Sequence, residues 1–367
     1  MSREISLQYI LLRGGAYCAE LRAREDQAPH LRMNSRGEIK MSFSGVFAPK
    51  AVDADGEPVD IDWISDEIQP ALVIDGVMTP LGVFMPATPR QIDDGVTASV
   101  RVEAYDRCWR VRDSNSTGTI YFAAGTLYLD AVEQQLTASG IETVFKTPCA
   151  AVLAEEREWP VGTSRLRVIN ELLSEINYNQ LWFNASGAAV LEPVSVPEAA
   201  AIEHSLDMSD PETRVLPGIS RETDIYSAPN VFIVTCANPE KQALMTATAT
   251  NDNPQSPLSV TRRGRQICTV VQVNNIADQA ALQAYADRLR DESMITGETI
   301  QVSTALLPGW GVADVVGLTY PIRAITERGE AVTTMEPAIC IESAYDMELT
   351  VGGRMTHTLE RIVYNLD

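Results

Sequence analysis

Apolar positions recur every second residue over much of this chain. Ile5, Leu7, Tyr9 and Leu11 alternate with polar neighbours, and Ile39, Met41 and Phe43 do the same after Gly37. A period of two sends successive side chains to opposite faces, so both runs predict half-buried strands. In ALVIDGVMTPLGVF two apolar runs flank Asp75-Gly76, a pair suited to the positive φ angles of a two-residue hairpin turn. Val96, Ala98, Val100, Val102 and Ala104 then share one face of a further strand. Residues 1–110 read as an all-β unit, with a small barrel as its expected form.

Beyond Asp113 the period lengthens. After the polar linker SNSTG and a strand, Leu129, Val132 and Leu136 recur at helical spacing, with Thr126 as the expected N-cap and Gly140 as the terminator. Leu166, Ile169, Leu172, Leu173 and Ile176 form the stripe of a second helix starting near Thr163. A hairpin follows in QLWFNASGAAVLEP, turning at Ala185, Ser186 and Gly187. Residues 111–200 thus predict an α+β unit, and the proline-bearing stretch 193–212 (Pro193, Pro197, Pro211) a crossing linker that extends this domain to 215.

Strands resume at Asn230–Thr235 and around Ala243. TNDNPQSPLSVTRRGR reads as irregular, because Pro254 and Pro257 hold their predecessors extended and Asn and Asp favour side-chain turns. A helix over 278–292 presents Ala281, Leu282, Tyr285 and Leu289 on one face, and strands return from Thr299, with a last hairpin at Gly352-Gly353. The expected fold class is mainly β with α+β: two barrel domains, 1–110 and 216–367, around an α+β domain, 111–215. The second barrel would carry a helical insertion at about 246–297.

Charge removes function classes. The formal net charge is -21, with 29 Lys and Arg against 50 Asp and Glu. Tight binding of phosphates needs a basic face, and the only local concentration is Arg262, Arg263 and Arg265, so sequence-specific nucleic-acid binding is not expected. No apolar run reaches the roughly 18 residues that span a bilayer, and the opening MSREISLQYILLRGG lacks a cleavable signal pattern; membrane insertion is not expected, and folding in a cytoplasm is.

The catalytic inventory is thin. Cys18, Cys108, Cys149, Cys236, Cys268 and Cys340 form no C-x-x-C pair, which argues for reduced thiols over a metal or redox site. His30, His204 and His357 stand apart, and no nucleophile elbow, phosphate loop or dinucleotide fingerprint occurs. Asp53, Asp55, Glu57, Asp60 and Asp62 could hold a hard cation, but their spacing departs from an EF-hand, and an acidic solvent loop is the expected reading. Glu155, Glu156 and Glu158 beside Trp159 are neighbours on a loop, whereas a glycosidase needs two carboxyls facing across a cleft. No enzyme, metal or cofactor is expected.

Four blocks in order carry a resemblance: GEIKMSFSGVF, WISDEIQPALVIDGVMTPLGVFMPATP, REWPVGTSRLRVINELLSEINYNQLWFNASGAAVLEP, and TNDNPQSPLS with RRGR. Together they span about residues 37 to 320, and the chain resembles the tail hub proteins of tailed phages, relatives of baseplate hub subunits. The resemblance implies two tube-like β-barrel domains with an intervening α+β region. It also implies a homotrimeric ring joining a six-fold tail tube to a three-fold tip or spike, and no catalytic residues. Expected partners are a tail tube or distal tail protein, a tip or spike protein and the tape-measure protein. The expected location is the virion tail tip or baseplate, after assembly in the host cytoplasm. An acidic lumen would then let DNA pass without adhering.

Candidate contact residues between subunits are Asp75 and Gly76 on the 75–85 hairpin, Asn251, Asp252 and Asn253 on the loop ending at Ser256, and Arg262, Arg263 and Arg265. The three arginines are chosen because, in an acidic protein, they call for carboxylate partners. Two other readings carry different expectations. A distal tail ring or a receptor-binding tail protein would be hexameric or peripheral, and a tail-borne cell-wall hydrolase would clear peptidoglycan.

Overall fold

Among the described residues, period-two alternation gives strands and 3.6-residue recurrence gives the longer helices, because each pattern lines one face of its element with apolar groups. The computed structural model describes residues 4–93, 95, 98–194, 201–210, 214–222, 228–236, 245–256, 258–273, 279–295, 298–325 and 331–362. Val96, Pro197, Pro211, Ala243 and Pro257 lie outside them. The chain is mainly β, and it divides into two compact units.

The first unit comprises Met1–Ser195, Thr304–Val312 and Ala344–Thr356. Its first strands are β1 (Ile5–Arg13), β2 (Ala16–Glu20), β3 (His30–Asn34), β4 (Met41–Phe47), β5 (Ala51–Val52) and β6 (Pro58–Val59). There follow β7 (Glu67–Ile74), β8 (Val77–Pro80), β9 (Phe84–Pro86), β10 (Arg90–Asp93) and β11 (Ala98–Asp106). Antiparallel ladders lead from β2 to β1 to β7, by one residue pair to β9, then to β11 and β4. The return is made just past β2: Ala23 bridges Phe47, Arg24 N donates to Val46 O and Ala48 N donates to Arg22 O. The circuit therefore closes on a bridge and not on a full ladder. Residues Ala344–Glu348 add a strand to the outer edge of β3.

Tyr9, Phe43, Phe47 and Phe84 fill the inside of this circuit, with ring centroids 5.3–6.0 Å apart. All four are buried, and each such side chain contributes about 2–3 kcal/mol by leaving water. The Tyr9 hydroxyl is satisfied by Leu349 O at 2.9 Å. Gly45 is required by packing: a Cβ there would lie 2.7 Å from the Phe47 ring.

The rest of this unit is the α+β part. It contains α1 (Cys108–Asp113), β12 (Ile120–Phe122), α2 (Tyr128–Ala138), β13 (Val144–Lys146), β14 (Arg157–Trp159), α3 (Arg165–Glu175), β15 (Trp182–Phe183) and β16 (Ala189–Leu191). Leu129, Val132 and Leu136 of α2 and Leu166, Ile169, Leu172 and Leu173 of α3 meet in one core with Cys108, Val111 and Trp159. The stripes were legible, but the expected cap was displaced by one residue. Leu127 is the N-cap of α2, because Leu127 bridges Val152 while Thr126 O accepts from Leu153 N. Gly140 ends the helix with φ +76°, as expected.

The second unit comprises Val196–Ser303, Ala313–Ser343 and His357–Asp367. It holds the strands β17 (His204–Asp207), β18 (Val215–Glu222), β19 (Val231–Cys236), β20 (Met245–Thr250), β21 (Cys268–Val273) and β23 (Val315–Ile325), the larger parts of β22 (Thr299–Ala305), β24 (Ala331–Glu348) and β25 (Arg354–Ile362), whose remaining residues belong to the first unit, and the helices α4 (Val260–Arg263) and α5 (Gln279–Ile295). β17 lies parallel to β23, which pairs with the first eleven residues of β24, and β22 pairs with β18 and β25.

No ladder that closes this sheet into a barrel lies among the described residues. One expectation changes here. The segment 246–297 is not simply helical: β20 and β21 flank β19, antiparallel and parallel respectively, and α5 packs on that sheet through Leu282 and Ala286. β17 went unread because HSLD offers one buried apolar residue, Leu206, and so no alternation.

Candidate interaction surfaces

Each histidine that stands isolated in sequence has a carboxylate beside it in space. His30 Nδ1 lies 2.9 Å from Asp346, His204 Nε2 2.9 Å from Asp314, and His357 Nδ1 2.9 Å from Glu342. The partners are 316, 110 and 15 residues distant, so no local window shows them. Glu342 and His357 are wholly buried. Burial holds the Glu342 carboxyl well above the ordinary range and pushes the His357 imidazole down to about 3, aided by the His204 charge. A group sealed from water meets no substrate, so this pair acts on stability.

In the first unit Asp106 is buried at the end of β11 and accepts N–H groups from Met41 at 2.7 Å and Cys108 at 2.9 Å. Burial pushes its carboxyl up to about 6. Lys40, also buried, donates to Ser35 O at 2.7 Å and Gln180 Oε1 at 2.9 Å, tying β4 to the α+β part. Trp159 is buried and donates to Glu171 at 2.7 Å, while Glu156 accepts the Tyr121 hydroxyl at 3.0 Å. Among the described residues no group of three His, Cys, Asp or Glu side chains is placed to hold a metal ion.

The chemistry that remains is that of surfaces. Asp75 (φ +50°) and Gly76 (φ +81°) form the tip of the β7–β8 hairpin, where Asp75 Oδ1 accepts Glu4 N at 3.0 Å. Ile5, Ile74 and Val77 stand in one cross-strand row, with Val77 69% exposed, and Met78 on the other face is 49% exposed. β8 pairs only with β7 among the described residues, so its outer edge is open.

The other candidates share one module of the second unit. Asn251 is 1% exposed and does not face outward, contrary to its expected contact role. Its amide donates to Ser256 Oγ at 3.0 Å and its carbonyl accepts Val260 N at 2.9 Å. Asn253 Oδ1 accepts Gln255 N at 2.8 Å, and Asp252 O accepts the Thr261 hydroxyl at 3.2 Å. Ser259 caps α4 by accepting Arg262 N, and Gly264 closes it at φ +64°. Asn230, which sequence reasoning passed over, is fully buried and donates to Leu258 O and Arg265 O while accepting Ile267 N. This network fixes the backbone that carries the arginines. Arg262 and Arg265 are exposed, and Arg263 donates to Ala228 O at 2.6 Å. Among the described residues, Arg262 has no carboxylate within ion-pairing distance.

No family model and no curated protein matches the sequence. Solved structures do match the fold. A tail protein from Neisseria meningitidis MC58 aligns with a TM-score of 0.66 at 12% identity, covering 97% of this chain and 96% of its own. The 43 kDa tail protein of prophage MuSo2 from Shewanella oneidensis aligns with a TM-score of 0.63 at 12% identity, over 97% and 98%. The E. coli c3393 protein, a type VI secretion component described as similar in structure to T4 phage tail proteins gp27 and gp5, gives 0.50 at 10% identity, over 99% and 77%. This chain therefore has, over nearly its whole length, the fold of phage tail proteins.

Proposed function

We propose that the chain is a structural hub subunit of a phage tail or of a related contractile injection device. The observation that supports it most is the two-way coverage: the Neisseria meningitidis tail protein aligns over almost all of both chains, so the likeness extends beyond one shared domain. The likeness of the type VI component to gp27 and gp5 favours the hub position among tail components. In this reading the parts 1–110, 111–215 and 216–367 build a ring of three copies, set between a six-fold tube with its tape-measure protein and a three-fold tip. The ring lines the channel through which DNA leaves, at the tail tip of the virion.

The subunit works by geometry and carries no chemistry of its own. Open strand edges such as that of β8 gain partners when neighbouring copies assemble, and obligate contacts of this kind bury more than about 2,000 Å². Light scattering of the purified chain at rising concentration should settle on three copies. Six copies would favour a distal ring instead, and clearing of host peptidoglycan in a zymogram would replace the structural role with hydrolysis.

A further inference from the structure

The β5–β6 turn and the segment after it are acidic, and most of that charge is used locally. Asp53 Oδ1 accepts N–H from Asp55 at 3.0 Å and Glu57 at 2.9 Å; Asp60 pairs with Lys50 at 3.1 Å; Asp62 holds Ile64 N and the Ser65 hydroxyl; Asp66 holds Arg13 at 2.7 Å. Two carboxylates are left over. Asp55 and Glu57 are exposed and have no cation within reach among the described residues. Further along the same segment Ile64 is 92% exposed, although burying such a side chain is worth about 1.5–3 kcal/mol.

The α4 module shows the opposite charge, and the strand after it also exposes an apolar residue. Arg262 projects without a carboxylate from a backbone pinned by the buried Asn230, Asn251 and Ser256, and Arg265 is exposed two residues beyond Arg263. On the next strand Val270 is 64% exposed. A chain of net charge -21 repels its own copies, so ring closure needs places where the sign is reversed. In a head-to-tail ring two different patches meet, each supplied once by every copy.

We propose that the acidic turn of one subunit, Asp55 and Glu57 with Ile64, docks on Arg262, Arg263, Arg265 and Val270 of the next copy. The proposal rests on the ring reading above and names the two patches that meet. Sedimentation equilibrium of four forms tests it: wild type, R262E/R263E, D55R/E57R, and all four substitutions combined. Each double variant should associate at least about tenfold more weakly, and the combined form should recover to within about threefold of wild type. Circular dichroism should show all four folded; Asp55, Glu57 and Arg262 lie at the surface, and because Arg263 is half-buried and donates to Ala228 O, R262E alone is measured as well and should weaken association in the same direction. Wild-type association in R262E/R263E, or a combined form as weak as the double variants, overturns the pairing and leaves the ring intact. A wild type that stays monomeric overturns the ring and the pairing with it.

Discussion

The first unit buries the Asp106 carboxyl against backbone N–H groups, whereas the second buries the Glu342 carboxyl against His357. The difference sets opposite responses to acid. Asp106 has its affinity for a proton raised on folding, from 3.8 to about 6. Its contribution to stability is therefore full below about pH 4 and is lost as pH rises through 6, a change on the order of 3 kcal/mol. In the second unit the raised Glu342 favours low pH and the lowered His357 favours high pH. Between 4.5 and 6.5 these two trends oppose one another. Below 4.5 the unfolded chain gains a second proton that the folded pair refuses until about 3, so stability falls. These groups alone make acid act first on the second unit.

The contrast can be measured because all five tryptophans, Trp63, Trp109, Trp159, Trp182 and Trp310, belong to the first unit. Tryptophan fluorescence follows that unit, and far-UV circular dichroism follows both. The largest effect is expected from Phe43→Ala, which should cost about 3–5 kcal/mol in the fluorescence-detected urea transition. A shift confined to the dichroism phase would break the assignment. His357→Ala should cost about 2–4 kcal/mol in the dichroism phase, through a cavity and an unpaired buried acid, and should abolish the loss of stability below pH 4.5. Asp106→Asn should flatten the fluorescence-detected stability between pH 4 and 6 by up to about 3 kcal/mol, and an unchanged slope would remove Asp106 as its source. Arg262→Glu should move either transition by less than about 0.5 kcal/mol, marking it as a surface residue whose effect lies in association.

What could be read beforehand follows from distance along the chain. The stripes of α2 and α3, the Asp75-Gly76 turn and the mainly β class rest on patterns a few residues long, and those hold. The Glu342–His357 pair, the bridge from Ala23 to Phe47 and the pinning of the α4 module by Asn230 join residues 15 to 37 apart, with no periodic signal. Asn251 shows the same limit at short range. An Asn in a polar loop reads as a surface turn, and only its hydrogen bonds to Ser256 and Val260 reveal it as the inside of that loop. α4 was hidden likewise, since four residues between prolines and glycine carry no stripe.

The hub reading stands or falls on symmetry. An averaged cryo-electron microscopy image of the assembled chain, viewed down its axis, should show a ring of three copies around an open channel. A six-fold ring of single copies, or particles with no channel, would contradict it.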